Sequence, residues 1–318
     1  MKPEMLRLEQ RERGSYLGGS EVAAVLGIPG AWGTPFEVWA KRQPEYQQEE
    51  DKPSEMLEAG NRFELTVASW VADKIGGKYV AGEPYTGKVV VGPEPWMACH
   101  PDGYMLIDGV WHVYEGKVAG RSGHLFGSAG LMPEKYLCQW VYQQHLTKMP
   151  GQFGAQRSLS EGPWTHRMER NPQLEDAIVN QLGEWWHQHI IKGTMPEIDG
   201  GKAAHSFLQQ KHADHGMDIR EATADERGLI AGLADAKRLK TAVDADIKRL
   251  EAQVKDAIGA DMGLEMPDGG KVTWKSQGGS KRLDTRALRA DHPEIADKYT
   301  KQGKPSRVLR ASPIWSKL

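Results

Sequence analysis

The chain has 318 residues, 39% of them apolar and 26% charged, enough apolar mass for one large domain or two modest ones. No run of about 18 apolar residues occurs, which excludes a membrane-spanning helix. The charged N-terminus, Met1 to Arg13, lacks a signal-peptide core, so a cytoplasmic protein is expected. Cys99 and Cys138 are the only cysteines; they exclude a disulfide framework and a four-cysteine cluster, and read as buried reduced thiols. Net charge is −2, yet residues 271–318 hold 12 Lys/Arg against 4 Asp/Glu. That basic tail suits either phosphate tracking or plain solvation.

In chain order, residues 18–27 predict a short helix, with Ser20 capping its start and Gly27 ending it. Thr34 opens a second helix with Pro35 at its first position and an apolar face of Phe36 and Trp39. Residues 44–54 are polar and acidic, an exposed loop. A longer helix covers 56–75 and stops at Gly76-Gly77. Strand-like pieces follow at 88–91, 96–106 and 110–118. A helix over 134–149 is stopped by Pro150, and the mixed stretch 151–175 contains a strand near 154–158. A helix bearing Ile178, Leu182, Trp185 and Trp186 closes an α/β domain with a central sheet and flanking helices, residues 1–200.

Residues 201–219, polar and His-rich, read as a linker, and 220–318 as an accessory region. Thr223 and Glu226 form a capping-box pattern before a long helix to about 258. Its apolar positions (Leu229, Leu233, Ala236, Val243, Ile247, Leu250, Val254, Ala257) step by four and three, broken only by Lys240. This seam fits a helical hairpin or a short coiled coil, through core packing or self-association. Pro267-Asp268-Gly269-Gly270 then turns between two short strands.

The chemistry-bearing residues cluster around Asp108-Gly109, a strong two-residue hairpin signal. Pairing Ile107 with Val110 propagates to Gly103 opposite Tyr114 and Asp102 opposite Glu115. Directly opposed carboxylates repel, and a divalent cation between them removes the conflict. Strand alternation puts Lys117 on the face of Glu115, where an ammonium can hold a water or a phosphate oxygen. Singly, Asp102 is good turn chemistry and Glu115 with Lys117 a surface ion pair; together, at this spacing, a metal site is favoured. His187-Gln188-His189 and His212-x-x-His215 lack companion ligands at zinc spacing. Trp164, Trp185 and Trp186 read as core.

Pro101-Asp102 followed by Glu115-Gly116-Lys117 resembles the PD-(D/E)xK nuclease signature. Gly18-Gly19-Ser20-Glu21-Val22-Ala23-Ala24-Val25-Leu26-Gly27 with Trp32-x-Thr34-Pro35, then Gly60-x-x-x-Glu64 and Tyr136-x-x-Gln139, resembles the motif series of the YqaJ-like viral recombinase family, a group that includes lambda exonuclease. The resemblance covers residues of about 13–145. It implies a restriction-endonuclease-like core with a central mixed β-sheet flanked by helices, here followed by a helical, coiled-coil-like extension with a small β-hairpin. It implies a Mg2+-dependent exonuclease, with Mn2+ able to substitute, that degrades duplex DNA from a 5′ end to 5′-mononucleotides. Such enzymes serve phage or prophage recombination in a bacterial host cell, beside a single-strand annealing protein, and form homo-oligomers.

By this resemblance Asp102, Glu115, the Gly116 carbonyl and Glu64 are metal ligands. Lys117 is the catalytic lysine, Gln139 orients water or substrate, and Tyr136 lies in the DNA-contacting helix motif. Arg13 and Ser20 receive a terminal 5′-phosphate. Arg11 is an alternative to Arg13. Gly116 departs from the usual bulky residue there and is expected to loosen the strand. A catalytically weak DNA-end-binding scaffold and a restriction-type endonuclease are the alternatives.

Overall fold

A computed structural model describes residues 2–44, 46, 55–82, 88–118, 132–156, 161–214, 216, 218–303 and 307–310. Most of the expected loop at 44–54, His215, Lys304 and Lys317 fall outside these residues. The chain divides into two compact units, Met1–His212 and Ala213–Leu318.

The first unit is built on a five-stranded sheet. Its members are β2 (Lys78–Ala81), β5 (Gly103–Ile107), β6 (Val110–Val118), β7 (Gly151–Gln156) and β8 (Trp164–Met168), in the order β2-β5-β6-β7-β8. Only β6 and β7 pair in parallel, so the sheet is mixed, as expected of this fold class. Asp108 and Gly109 both take positive φ, 51° and 78°, the geometry a tight two-residue hairpin needs. The predicted register follows from Ile107↔Val110 to Gly103↔Tyr114.

Parallel neighbours cannot be joined by a tight turn, and here α4 (Glu134–Thr147) lies in the β6–β7 crossover. It ends at Lys148, in the left-handed conformation at φ 56°, two residues before the expected stop at Pro150. The sheet is covered on both faces. On one, α3 (Glu55–Ile75) packs Val67, Ala68, Val71 and Ala72 against Met105, Ile107 and Tyr114. On the other, Tyr136 and Trp140 of α4 pack against Val113, Phe153 and Ala155. Alternation along β6 therefore sends Glu115 and Lys117 to the α4 side, with Val113.

A smaller antiparallel sheet joins β1 (Leu8–Gln10), β3 (Lys88–Val91) and β4 (Ala98–Cys99). The single strand expected over 96–106 is thus two, in different sheets. Pro101 has no N–H for a ladder, and the chain leaves one sheet and enters the other around it. Helices α1 (Gly19–Val25), α2 (Pro35–Ala40) and α5 (Pro172–Trp186) complete the core, in which Leu17, Val22, Val38, Cys99, Tyr142, Leu182 and Trp186 meet. Thr34 caps α2 through Glu37 N–H at 3.1 Å, as its position before Pro35 predicts.

The expected linker at 201–219 opens instead with α6 (Lys202–Lys211). Its Phe207 packs on Phe36 and Trp39, with ring centroids 5.6 and 5.2 Å apart, which carries the first unit to His212. Polar, His-rich flanks hid one buried aromatic. Ser20 also sits differently: Gly18 is the cap residue of α1, and Ser20 is the second helical residue. The Glu21 carboxylate accepts from Gly18 N–H at 2.9 Å and takes the capping role expected of Ser20.

The second unit opens with α7 (Ala224–Ile258), whose Thr223–Glu226 capping box forms as predicted. A hairpin of β9 (Gly263–Glu265) and β10 (Lys271–Thr273) follows, then α8 (Thr285–Asp291) and α9 (Pro293–Tyr299). The apolar seam of α7 is solvent-exposed along its length. No helix of the described residues is long and apolar enough to cross a membrane.

Candidate active site

The centre forms where β5 begins and β6 ends its pairing with it. Asp102 immediately precedes β5, held by its main-chain carbonyl, which accepts from Tyr79 Oη at 2.8 Å and Gly82 N–H at 3.1 Å. Its Oδ2 accepts from the Gly116 N–H at 2.8 Å, so the two strands are pinned together at this point. Glu115 is wholly buried. It accepts from Gln139 Nε2 and, at 2.7 Å, from Gln143 Nε2, two residues one turn apart on α4. Lys117 donates to Glu115 Oε1, and its Nζ stands 3.8 Å from Asp102 Oδ2. Glu64, on α3, is in hydrogen-bond contact with the Asp102 carboxyl.

Among the described residues, three carboxyls and one ammonium thus share a part-buried corner with Glu115 at its floor. Burial is the largest influence on each acid. It raises Asp102 to about 7 against the pull of Lys117, and raises Glu115 to about 7 with Asp102 adding repulsion. Glu64 is shifted upward by the same cause. The Lys117 ammonium is held charged well above its ordinary range by Glu115 and Asp102, which outweigh its own desolvation. Such a set is short of positive charge. The carbonyl oxygens of Gln139 and Gln143 are also buried and without a hydrogen-bond partner. Among the described residues no three His, Cys, Asp or Glu side chains close on one point as a ready-made cage. A cation here would therefore draw on Asp102, Glu115 and a main-chain carbonyl, with the charge deficit favouring a divalent ion.

Gly116 is less loose than a strand glycine usually is. A Cβ built there would lie 3.0 Å from the Tyr114 hydroxyl and 3.1 Å from its ring. Tyr114 folds over the strand, fully buried, and its ring is edge-on to Tyr79. It fills the space that a bulky residue at 116 would take. Gly116→Val is accordingly expected to cost about 1–3 kcal/mol by overpacking. Urea unfolding of the purified variant checks this, and an unchanged midpoint would show that the tyrosine gives way freely.

Arg13 and Ser20 meet, with Nη2 to Oγ at 3.3 Å. The Arg13 guanidinium lies over the Tyr16 ring at 5.8 Å, and Tyr16 Oη hydrogen-bonds His100 Nε2 at 3.2 Å. Burial, and then the charge of Arg13, lower the His100 pKa. Arg11 is engaged by Glu9, at 2.8 and 3.0 Å, and by the Pro95 carbonyl. The paired glycines before Ser20 have separate uses. A Cβ on Gly18 would stand 3.0 Å from the Arg13 guanidinium, and one on Gly19 3.2 Å from Gln139 Cγ. Close approach of α1 to α4 thus links the Arg13–Ser20 pair to the carboxylate corner. Tyr136 lines the same side, its ring 5.9 Å from Lys117 Nζ and edge-on to the half-exposed Trp32, over which Lys135 lies at 4.3 Å.

All nine residues singled out in the sequence therefore lie in or beside one region. Three contributors were not on that roster. Gln143 shares a helix face with Gln139, a polar pattern that suits solvent equally well. Tyr79 comes from β2, a strand with no clear sequence signal. Arg42 binds Glu21 at 2.8 Å and the Tyr16 and Val38 carbonyls at 2.6 Å, and so ties α1 to α2. Of the histidines that the sequence sets aside, His189 Nδ1 is engaged by the Thr194 carbonyl at 2.7 Å.

Residues 8–150 match the family profile described as the YqaJ-like viral recombinase domain. Over these residues the chain is similar to that family's domain. The matched stretch contains every residue of the carboxylate corner and of the Arg13–Ser20 pair. The chain is 24% identical over 305 residues to the uncharacterized protein YqaJ of Bacillus subtilis (strain 168), covering 92% of this chain and 89% of that protein. The similarity thus continues past the matched stretch into the second unit. Among solved structures, an alkaline exonuclease (LHK-Exo) from Laribacter hongkongensis is 17% identical, with a TM-score of 0.46, covering 57% of this chain and 90% of its own. Its complex with dAMP is 16% identical, with the same TM-score of 0.46, covering 63% and 94%.

Proposed function

We propose that this chain is a metal-dependent DNA exonuclease that hydrolyses phosphodiester bonds from duplex ends, 5′ to 3′, releasing 5′-mononucleotides during phage-type recombination. The observation that carries this reading is the part-buried Asp102–Glu115–Lys117 corner within the stretch that matches the YqaJ-like viral recombinase domain. Mg2+ is the proposed ion, with Mn2+ able to replace it. Asp102, Glu115 and the Gly116 carbonyl would hold it, with Glu64 at its edge. When bound, the ion supplies positive charge to the scissile phosphate and acidifies the attacking water.

The chain's own residues do the rest. Gln139 and Gln143 hold both oxygens of Glu115 and so fix its orientation. Lys117, on the same strand face, orients the nucleophile and offsets charge gathering on the phosphate. Arg13 and Ser20 receive the terminal 5′-phosphate by charge-assisted hydrogen bonds. Contacts of this kind read backbone rather than sequence. A single-strand annealing protein is the proposed partner.

The discriminating experiment is digestion of linear and circular duplex DNA, with Mg2+ and with chelator. Loss of linear DNA alone, only with the metal, is expected. Cutting of circles would favour an endonuclease, and tight end binding without turnover would favour a scaffold. On linear DNA, Arg13→Ala is expected to lower the preference for 5′-phosphate over 5′-hydroxyl ends by roughly 10–100-fold, the worth of a charged hydrogen bond. An unchanged preference would remove Arg13 from the phosphate pocket.

A cation dependence of stability also follows. Asp102 and Glu115 hold their protons to about pH 7 in the folded chain, against ordinary values of 3.8 and 4.5. A raised carboxyl pKa favours folding at low pH, and that advantage is lost as pH climbs through the window between the two values. A divalent ion offsets the loss once the carboxyls are ionised. Millimolar Mg2+ is therefore expected to raise Tm at about pH 8 and barely at about pH 5.5. Equal shifts at both, measured by differential scanning fluorimetry, would place the ion elsewhere.

A further inference from the structure

Helix α7 exposes an apolar seam that runs in strict heptad phase. Leu233, Lys240, Ile247 and Val254 are spaced by seven, and so are Leu229, Ala236, Val243, Leu250 and Ala257, four residues before or three after the first set. These are the two core positions of a coiled coil, sustained for four heptads and about 42 Å of helix. All nine side chains are exposed, Leu229 at 75% and even Val254 at 40%. The rest of α7 is charged, with ion pairs inside the helix between Arg238 and Asp235, Lys240 and Asp244, and Arg249 and Asp246. An exposed stripe of this length is a binding surface rather than scattered surface apolarity.

We propose that this seam is covered by the same seam of a second copy of the chain, running antiparallel, so that α7 is a dimerisation helix. Direction follows from the charges and volumes. In a parallel pair Asp246 would face Glu251 of the second copy, and the two Lys240 side chains would meet in one layer. In an antiparallel pair centred between Thr241 and Ala242, Leu233 meets Leu250 of the second copy, Leu229 meets Val254, and the larger Ile247 meets the small Ala236. Lys240 then meets Val243 rather than another lysine, and its ammonium stays on Asp244 of its own helix, at 3.0 Å. Flanking this core, Lys237 falls beside Asp244 of the second copy, twice per dimer. No like charges face one another.

This proposal does not depend on the nuclease reading. Sedimentation of the intact chain at micromolar concentration is expected to give twice the chain mass. Leu233→Asp combined with Ile247→Asp is expected to give the monomer. Lys237→Cys combined with Asp244→Cys tests direction without touching the core: oxidation is expected to yield a covalent dimer, and neither single cysteine variant to do so. A wild-type monomer at all concentrations, a dimer that persists in the aspartate variant, or cross-linking equal to that of the single variants would each overturn it.

Discussion

Lys117→Ala is expected to abolish nucleolysis, lowering kcat by at least about 10²–10³-fold, the usual loss when a group that stabilises transition-state charge is removed. Among the described residues the ammonium is the one cation of the corner, donating to Glu115 and standing 3.8 Å from Asp102. Asp102→Ala is expected to have the same effect for a different reason. It removes a proposed ligand and also the acceptor of the Gly116 N–H, so β6 loses its pin to the start of β5. The two variants should separate in metal-free stability. Without Lys117, Asp102 and Glu115 keep protons to still higher pH, and the folded chain loses stability near neutral pH. Without Asp102, Glu115 keeps its ammonium partner. Circular dichroism with Mg2+ present checks that each variant is folded, and a linear-DNA digestion gives the rate. Full activity of either purified variant with Mg2+ would remove the corner from the chemistry.

Arg42→Ala is expected to cost about 3–5 kcal/mol, the loss seen when one member of a buried ion pair is removed and the other is stranded. The Arg42 side chain is 5% exposed and Glu21 15%, so solvent screens the pair little. The guanidinium also satisfies two main-chain carbonyls and lies over the Trp186 ring at 5.6 Å. In a unit of this size, Tm should fall on the order of 10 °C. Arg42→Lys should recover little, since an ammonium cannot keep the forked contact and the carbonyls together. Because Glu21 also caps α1, activity should fall along with stability, through the placing of Gly19 and Ser20. A Tm unchanged within a degree or so would show that α1 is held by its apolar face alone.

The most legible part of the molecule was the most local. Asp108-Gly109 with a strand period of two was enough to reach Gly103↔Tyr114, one position short of Asp102 and Glu115. Thr34 before Pro35, and Thr223 before Glu226, marked helix starts that the structure reproduces. Each of these depends on backbone donors within four residues of the side chain that serves them. The cap of α1 differs from the expectation. Ser20 was expected to cap it, but Gly18 is the cap residue, and the Glu21 carboxylate accepts from its N–H while also binding Arg42.

Burial was the property least visible in one dimension. Gln139 and Gln143 form a polar stripe that suits solvent as well as a site; only the crossing of α4 over β6 turns it onto Glu115. Residues 201–219 look like a linker by composition, yet one phenylalanine landing between Phe36 and Trp39 makes α6 part of the first unit. Gly116, which by itself weakens a strand, is supported by a tyrosine two residues away whose ring direction no pattern reveals.

The sequence by itself determined the spacing of Asp102, Glu115 and Lys117 about a tight hairpin, because turn geometry and strand alternation act over a few residues. It also determined the heptad phase of α7. The resemblance implied roles for Glu64, Gln139, Arg13 and Ser20, but only the tertiary structure brings them, with Gln143, into one region. Those residues come from separate elements, and what places them is the packing of both helices against a mixed sheet, with α1 brought close by a glycine. Only at that level do three carboxyls share one part-buried ammonium among the described residues, the charge imbalance on which the proposed metal chemistry rests.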